Sequence, residues 1–345
     1  MKIAILNNAV PFVRGGAEHL ADALVSKLQE YGHQAILVRI PLEWDPPSKI
    51  LEQMLACRLM RLPGVDRVIG LKFPAYYVPH HSKMVWLLHQ FRQVYDLWGT
   101  PLQGMPDNTD VRELRRVIFR ADQTYLAEAA EIFTNSKVTG DRLARFNGLG
   151  SKILYPPLLA PEQFQCKEYG DYILALGRVN EAKRQHLLVE SMRYCRSNVK
   201  LMIAGKAETS EYAKSLSRLI SGQGLQQRVQ FVERFITEEE KVDFLSRALG
   251  VAYVPYDEDS FGYVTLEAFL SNKPVLTCDD SGGILEFVKD NVTGHVCKAE
   301  PQSIARAMDQ LYEDKRLTCA LGEAGRALLT QFEISWDHVI QVLTS

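Results

Sequence analysis

Two cationic residues follow an apolar segment in the second half of the chain. Residues 172–177 read YILALG, and Arg178 and Lys183 come directly after this segment, at the start of a run with helical spacing. A glycine at a strand end permits a tight turn, and the free N–H groups of the helix that follows favour an anion. Arg178 and Lys183 would add two positive charges at the same place. The pattern is typical of a diphosphate site, with solvated surface cations as the alternative.

A group of carboxylates lies further along, in the stretch DEDSFGYVTLE at 257–267. It follows the apolar segment 250–255 and leads into a predicted helix. The first N–H groups of such a helix, here those near Val264 and Thr265, have no partner within the helix and can bind an anion. Glu267 lies just behind them, where a carboxylate can accept hydrogen bonds from vicinal hydroxyls such as those of a ribose.

The same stretch opens with the letters D-x-D, and carboxylate oxygens are ligands of divalent cations. Glu267 is too distant from Asp257 and Asp259 in local geometry to share an ion with them. The predicted phosphate site already has two cations and helix termini, so we expect no metal and no other cofactor. Asp257 and Glu258 are therefore interpreted as part of a solvent-facing loop.

The elements that would position these residues form two wound α/β halves. Residues 2–6 and 34–40 are apolar, and between them lie Gly15, Gly16 and an amphipathic helix near 17–31, which together predict a strand-loop-helix-strand unit. The pattern returns as short apolar segments separated by helix-length stretches, at 172–177, 200–205, 228–232, 250–255 and 274–278. The predicted fold class is α/β, with two doubly wound parallel sheets. Residues 155–161 contain three prolines and are interpreted as an interdomain linker.

Composition restricts the class of protein. The chain has 345 residues, 46% of them hydrophobic, and a net charge of −2, which fits a globular protein with a large core and two domains. Six cysteines without CxxC spacing indicate a reducing compartment rather than a disulfide framework or a zinc site. No Lys/Arg cluster is interleaved with aromatic residues, so nucleic acid is not an expected partner. Neither a signal peptide nor a membrane-spanning run is recognised, so we expect a cytoplasmic protein.

Taken together, the motifs resemble those of the family-4 retaining glycosyltransferases, which have the GT-B fold. The matching letters are GGAE at 15–18, YPP at 155–157, GR-x4-K at 177–183 and D-x-FG-x4-E-A at 259–268. The resemblance implies two Rossmann-like domains that face a central cleft. It places an acceptor-binding domain at 1–160, a nucleotide-sugar-binding domain at 161–330 and a C-terminal helix at 331–345 that packs back on the first domain.

The resemblance also implies roles for single residues. Arg178 and Lys183 would hold the donor diphosphate and stabilise its departure, and Glu267 would bind the ribose. Asp259 stands where the family has a glutamate that contacts the donor sugar, and its side chain is one methylene shorter. The remaining donor contacts would come from Gly15, Gly16, Phe261, Gly262, Val264 and Thr265.

His89 ends the apolar run VWLLH and corresponds to the histidine that the family places beside the donor sugar. The alternative is a histidine that satisfies a backbone carbonyl after a buried strand. Of the neighbours His80 and His81, at most one is expected to face the acceptor, because adjacent residues of an extended chain point to opposite sides. The predicted acceptor region comprises His81, Gln90, Arg92 and Tyr95.

The reaction that the resemblance implies is metal-independent transfer of a hexose, with retention, from a UDP- or GDP-linked sugar. The acceptor would be a hydroxyl of a glycan, a lipid-linked glycan or a small molecule, as in polysaccharide biosynthesis. The alternatives are a non-catalytic nucleotide-sugar-binding protein and another GT-B enzyme, such as a sugar phosphorylase or an epimerase. Residues 49–73 mix apolar residues with arginines; a core helix is favoured there, with an acceptor face or a peripheral contact at the inner membrane surface as the alternative.

Overall fold

The chain folds as two units. The structure, a computed structural model, describes residues 1–10 and 15–345. The first unit comprises Met1–Pro157 with Ile334–Ser345, and the second comprises Leu158–Glu333. The division after Pro157 falls within the proline-containing segment 155–161.

The first unit contains a sheet of six parallel strands in the order β2-β1-β3-β4-β5-β6. The strands are β1 (Lys2–Ala9), β2 (Gln34–Pro41), β3 (Arg67–Lys72), β4 (Lys83–His89), β5 (Glu131–Thr134) and β6 (Lys152–Ile153). The helices that follow them are α1 (Gly16–Glu30), α2 (Lys49–Leu59), α3 (Thr109–Leu126) and α4 (Lys137–Asn147). One face of the sheet is covered by α1, and the other face is covered by α2, α3 and α4.

Strand β1 illustrates why the central strands are apolar throughout. Ile3 and Ile5 pack in the core on the α1 side of the sheet, whereas Ala4 and Leu6 pack in the core on the opposite side. Because both faces are covered, apolar and polar residues do not alternate along the strand, as is usual in parallel sheets.

The second unit contains another sheet of six parallel strands, in the order β12-β11-β10-β7-β8-β9. Its strands are β7 (Tyr172–Leu176), β8 (Lys200–Ala204), β9 (Val229–Val232), β10 (Gly250–Ala252), β11 (Val275–Cys278) and β12 (Gly294–Cys297). Its helices are α5 (Gln185–Ser191), α6 (Ser210–Gly222), α7 (Glu238–Arg247), α8 (Tyr263–Leu270), α9 (Pro301–Glu313) and α10 (Lys315–Leu329). All five strands predicted for this half are present.

The strand order reverses between β7 and β10. From β7 the chain moves outward to β8 and β9, then returns to place β10 on the other side of β7. The loops that leave the carboxyl ends of β7 and β10 therefore diverge, which opens a crevice at the point where ligands bind in doubly wound sheets. The predicted cationic loop and the predicted carboxylate stretch are these two loops.

The last helix, α11 (Trp336–Thr344), belongs to the first unit. Trp336, Val339, Ile340 and Leu343 are buried in the core on the α1 side of the first sheet. Arg67, which begins β3, fixes the end of this helix by donating a hydrogen bond to the main-chain oxygen of Leu343 (2.8 Å). Across the described part of the chain, none of the helices has the length and apolar content needed to cross a bilayer.

Candidate functional site

Three loops are hydrogen-bonded to one another at the carboxyl edge of the second sheet. They follow β7, β10 and β11. The amide of Tyr256, after β10, donates to the carbonyl of Ala182, after β7 (2.9 Å). The amide of Asp257 donates to the carbonyl of Asp280, after β11 (2.8 Å). The cationic loop and the carboxylate stretch therefore form one assembly.

Two glycines permit the close approach of these loops. Gly282 has φ +71°, and a Cβ atom there would lie 2.3 Å from the main-chain oxygen of Glu258. Gly262, which precedes α8, also has φ +71°, and a Cβ atom there would lie 2.4 Å from the ring of Tyr253. Any side chain at either position would strain the backbone and displace a neighbour.

Lys183 is bound within the assembly by a carboxylate of the protein itself. Its Nζ donates to the hydroxyl of Tyr253 (2.8 Å) and forms an ion pair with the carboxylate of Glu258. Burial disfavours the ammonium, but Glu258 and Tyr253 together outweigh burial through charge and hydrogen bonding, so the pKa of Lys183 lies above its ordinary value. The interpretation of Glu258 as a residue of a solvent-facing loop is wrong, because its side chain is directed at Lys183.

Arg178 differs from Lys183 in its surroundings. Its side chain is exposed and forms no ion pair with any residue in 1–10 or 15–345. Its main-chain oxygen accepts a hydrogen bond from the side-chain amide of Gln185 (3.0 Å), which fixes the turn after β7. The loop therefore presents one solvated cation and one cation that already binds an anionic group.

Glu267 lies on α8 and is buried. It accepts a hydrogen bond from Nζ of Lys241, on α7, at 2.7 Å. Burial raises the pKa of Glu267, and Lys241 opposes that shift. Lys241 was not predicted from the sequence. The capping box at Thr237 predicts the helix that carries Lys241. Its contact with Glu267 cannot be predicted from a local sequence pattern, because the two residues are 26 positions apart.

The start of α8 differs in detail from the prediction. The amide of Thr265 donates to the carbonyl of Gly262 (3.0 Å), so it is used within the turn and is not open to an anion. The described residues provide no acceptor for the amide of Val264. Phe261 packs its ring against Phe287 (4.9 Å between centroids), so only its main chain borders the loop. Asp259 is buried beside them.

Arg184 is a second residue that the sequence analysis missed. Its guanidinium donates to the carbonyls of Val254 (2.7 Å) and Pro255 (2.9 Å) and pairs with the carboxylate of Asp280 (2.6 Å). These contacts join the loops after β7, β10 and β11. Arg184 has φ +54°, and this left-handed conformation in a non-glycine residue is maintained by its three partners.

In the first unit, His89 is the last residue of β4 and is half-buried. Its Nδ1 donates to the main-chain oxygen of Gln90 at 2.6 Å. The carbonyl contact that the sequence analysis gave as the alternative is therefore present. It does not exclude a role at a substrate, since the ring has a second nitrogen.

The loop before α1 includes residues 11–14, which lie outside the described part of the chain. The amide of Gly15 donates to the carboxylate of Glu18 (2.8 Å), and Glu18 pairs with Lys72 (3.3 Å). Burial works against the ionised form, but Lys72 and main-chain amides hold the pKa of Glu18 below its ordinary value. The Gly15 amide is therefore used within the first turn of α1, whereas Gly16 is exposed there, and the donor contacts of both glycines stay predictions.

Two residues of the predicted acceptor region are buried instead. The hydroxyl of Tyr95 donates to Asp122 (2.6 Å), and the side-chain amide of Gln90 donates to Asn147 (2.9 Å). Both side chains direct their polar groups into the core, so the prediction that they line an acceptor groove is wrong. Arg92 pairs with Asp96 (2.7 Å), and its role stays a prediction.

The prediction for His81 is also wrong. His81 precedes β4, whereas His89 ends it, and a strand of this length separates the two residues by roughly 20 Å. His81 is therefore at the amino edge of the sheet, away from the edge where ligands bind in this fold. Its ring lies 4.2 Å from that of His80, so the two side chains do not point to opposite sides.

In residues 1–10 and 15–345, the His, Cys, Asp and Glu side chains form no group of three that could hold a metal ion. Within the D-x-D stretch, the central residue Glu258 faces Lys183. Metal independence stays a prediction for the assay described below.

A model of the family described as "Glycosyl transferases group 1" matches residues 160–328. The human alpha-1,3/1,6-mannosyltransferase ALG2 is 29% identical over 168 residues, which are 45% of this chain and 40% of that protein. The chain thus spans about two fifths of the length of the curated relatives it matches. The sequence likeness is therefore shown for one part of each protein.

Two solved structures resemble the chain over its whole length. Anabaena Alr3699/HepE in complex with UDP and glucose has a TM-score of 0.76 at 16% identity, covering 100% of this chain and 98% of that one. WaaG, a glycosyltransferase involved in lipopolysaccharide biosynthesis, has a TM-score of 0.71 at 15% identity, covering 100% of both chains. At such identities the likeness concerns the fold, and it confirms the predicted pair of doubly wound, Rossmann-like GT-B sheets. Residues 160–328 of the chain thus match the group 1 glycosyl transferases.

Proposed function

We propose that the chain transfers a hexose from a nucleoside-diphosphate sugar to an acceptor hydroxyl, with retention and without a metal. The observation that carries the proposal is the ion pair of Lys183 with Glu258 at the strand-order reversal of the second sheet. A carboxylate there marks a partly buried anion site, and the resemblance assigns this site to the donor diphosphate. In this proposal the diphosphate displaces Glu258 from Lys183.

The other residues of the assembly would complete the donor site. Arg178 supplies the second cation, and the amide of Val264 supplies a main-chain donor. Glu267, whose orientation is fixed by Lys241, accepts hydrogen bonds from the ribose hydroxyls. Cations oriented before the reaction stabilise the charge that develops on the departing diphosphate.

The chemical step exchanges one bond at the anomeric carbon for another. The bond to the diphosphate oxygen breaks and the bond to the acceptor oxygen forms on the same face of the sugar. The departing phosphate oxygen takes the proton of the acceptor hydroxyl. Asp259 and His89 would contact the donor sugar during this step. The named relatives, a mannosyltransferase and a protein crystallised with UDP and glucose, support a hexose as the transferred sugar. The UDP- or GDP-linked donor is what the family resemblance implies.

The test measures thermal unfolding with UDP, GDP, ADP and TDP in turn, with EDTA throughout. We expect a rise of several degrees with one nucleotide, which is lost in Lys183→Met and kept in Lys214→Met, an exposed lysine on α6. Recovery of the shift only on adding manganese would contradict metal independence. NMR of the product from the matching sugar nucleotide then reports its anomeric configuration, and an inverted product would refute retention.

The same assays separate the alternatives. A nucleotide-sugar-binding protein without activity would give the unfolding shift but no transfer to any acceptor. A phosphorylase would use inorganic phosphate as its acceptor and would form product from a sugar 1-phosphate. An epimerase would change the sugar nucleotide without an acceptor.

A peripheral contact with an anionic membrane would bring such an enzyme to lipid-linked acceptors. Helix α2 buries Ile50, Met54 and Cys57 but exposes a stripe of leucines one turn apart, at Leu51 (44%), Leu55 (58%) and Leu59 (65%). The favoured prediction of a core helix holds for one face of α2 only. Helix α3, on the same side of the sheet, borders a cavity of about 240 Å³ lined by Arg115, Arg116, Phe119 and Arg120. Exposed leucines on α2 and arginines on α3, on the same side of the sheet, match the acyl chains and phosphates of an anionic bilayer surface.

A further inference from the structure

Asp122 is a buried carboxylate that has no function in the mechanism above. It lies on α3 with 0% of its surface exposed, and it forms no ion pair with any residue that the structure describes. The hydroxyls of Tyr76 and Tyr77 donate to its Oδ1 (3.0 and 2.7 Å), and the hydroxyl of Tyr95 donates to its Oδ2 (2.6 Å). Burying a carboxylate without a cation is costly, and here the three tyrosine hydroxyls compensate by hydrogen bonding. A buried network whose polar groups are all hydrogen-bonded holds its side chains in one arrangement.

One branch of this network continues beyond Asp122. The hydroxyl of Tyr95 accepts a hydrogen bond from the side-chain amide of Asn147, at the end of α4 (3.1 Å). The side-chain oxygen of Asn147 accepts one from the amide of Gln90 (2.9 Å). Asn147 and Gln90 are buried, so no water competes for these bonds. The branch therefore joins α3, α4 and the residue that follows β4.

Gln90 also controls the neighbouring histidine. Its main-chain oxygen accepts the hydrogen bond from Nδ1 of His89 (2.6 Å). A neutral histidine that donates through Nδ1 keeps Nε2 as an acceptor, so this bond sets both the tautomer and the orientation of the ring. The position of the Gln90 peptide is in turn fixed by its side chain, through Asn147 and Tyr95.

We propose that Asp122 and Tyr95 are positioning residues for His89, acting through the hydrogen bonds of Asn147 and Gln90. The proposal rests on the proposed function, in which His89 contacts the donor sugar. Gln90 and Tyr95, which their residue types suggested as part of an acceptor surface, would instead position the histidine.

The test compares two tyrosines that bond the same carboxylate. Tyr95→Phe keeps the ring that stacks on Phe119 (4.2 Å) but removes the hydroxyl shared by Asp122 and Asn147. Tyr76→Phe also removes one hydroxyl from Asp122, but that hydroxyl is not on the path to Gln90. We expect Tyr95→Phe to lower kcat by about tenfold or more with donor KM nearly unchanged, because small misplacements of a reacting group are costly. Tyr76→Phe should keep kcat within about twofold.

Two further measurements make the result decisive. In a His89→Ala background, Tyr95→Phe should cause no additional loss of kcat; an equal loss in both backgrounds would refute the proposal. Nitrogen NMR of labelled histidines, with His89 assigned from the His89→Ala spectrum, should report an altered tautomer ratio in Tyr95→Phe and an unaltered one in Tyr76→Phe. The NMR result does not depend on turnover. An unchanged tautomer refutes the positioning role, whereas absent transfer by the wild type refutes the proposed function.

Discussion

At the scale of single residues, Lys183 and Glu258 form an ion pair at the proposed diphosphate site. A diphosphate must compete with Glu258 for the ammonium. We therefore predict that Glu258→Gln binds the nucleoside diphosphate more tightly, by about fivefold, because it removes a charged competitor while Tyr253 remains. Calorimetric titration measures the affinity.

The matched control for this prediction is Glu181→Gln. Glu181 lies in the same loop and is exposed, and it forms no ion pair with Lys183. Its variant should bind the nucleotide as the wild type does. Weaker binding by Glu258→Gln would mean that Glu258 helps to hold the nucleotide.

Asp122 predicts a dependence of stability on pH. Burial raises its pKa to about 6, although the three tyrosine hydroxyls work in the opposite direction. A carboxyl whose pKa is raised on folding stabilises the folded state at low pH and loses that contribution as the pH rises through 6. The free energy of unfolding of the wild type, relative to Asp122→Asn, should therefore increase by about 1 kcal/mol from pH 7 to pH 5.

Denaturant titrations of both proteins at the two pH values measure this difference. Carbon NMR of the Asp122 carboxyl group gives its pKa in the wild type directly, whether or not the variant folds. Parallel stability curves, or titration near pH 4, would contradict the prediction.

The sequence predicts residues of the site only where the pattern is local. Lys183 and Glu267 were identified because each follows a strand end at a fixed spacing. The sequence did not reveal the roles of Lys241 and Arg184, nor that the Glu258 side chain points at Lys183. The partners of these three residues lie between 26 and 96 residues away. Such pairs depend on tertiary contacts, which spacing in the sequence does not encode.

At the scale of elements, helix α8 depends on the turn that precedes it. Gly262 has φ +71° and lies against the ring of Tyr253. We predict that Gly262→Ala lowers the free energy of unfolding by about 1–3 kcal/mol and weakens nucleotide binding, because it strains the backbone and displaces Tyr253 from Lys183. Thermal unfolding with and without nucleotide measures both effects.

Gly222→Ala is the matched control for this prediction. Gly222 ends α6, and a Cβ atom there would meet nothing within 4 Å. Its replacement should be neutral or slightly stabilising, because alanine favours the helix and reduces the conformational entropy of the unfolded chain. Equal behaviour of the two variants would argue against strain at Gly262.

The elements themselves were well predicted, and their environment was less so. Apolar runs identified the strands because both faces of each sheet are covered, as β1 illustrates. Polarity was a poor guide after β4. Gln90 and Tyr95 look like surface residues by type, but a buried network satisfies their polar groups. A sequence pattern cannot distinguish a solvated polar residue from one with a buried partner.

At the scale of the whole molecule, the leucine stripe of α2 predicts vesicle binding. We expect sedimentation with vesicles that contain anionic lipid, and weaker sedimentation at high salt. Leu55→Gln should lower the partition coefficient by about tenfold, since it removes one buried leucine side chain from the contact. Phe235→Gln, at an exposed apolar residue of the second unit, should have no effect. Equal losses in both variants would argue against α2 as the contact.

Helix α11 has a consequence for the order in which the protein is made. The first unit takes part of its core from Trp336, Val339, Ile340 and Leu343, which are synthesised after the whole of the second unit. The second unit is continuous in sequence, so its core can be complete while the first unit still exposes an apolar groove beside α1. The unit that is translated first is thus the one that finishes folding last.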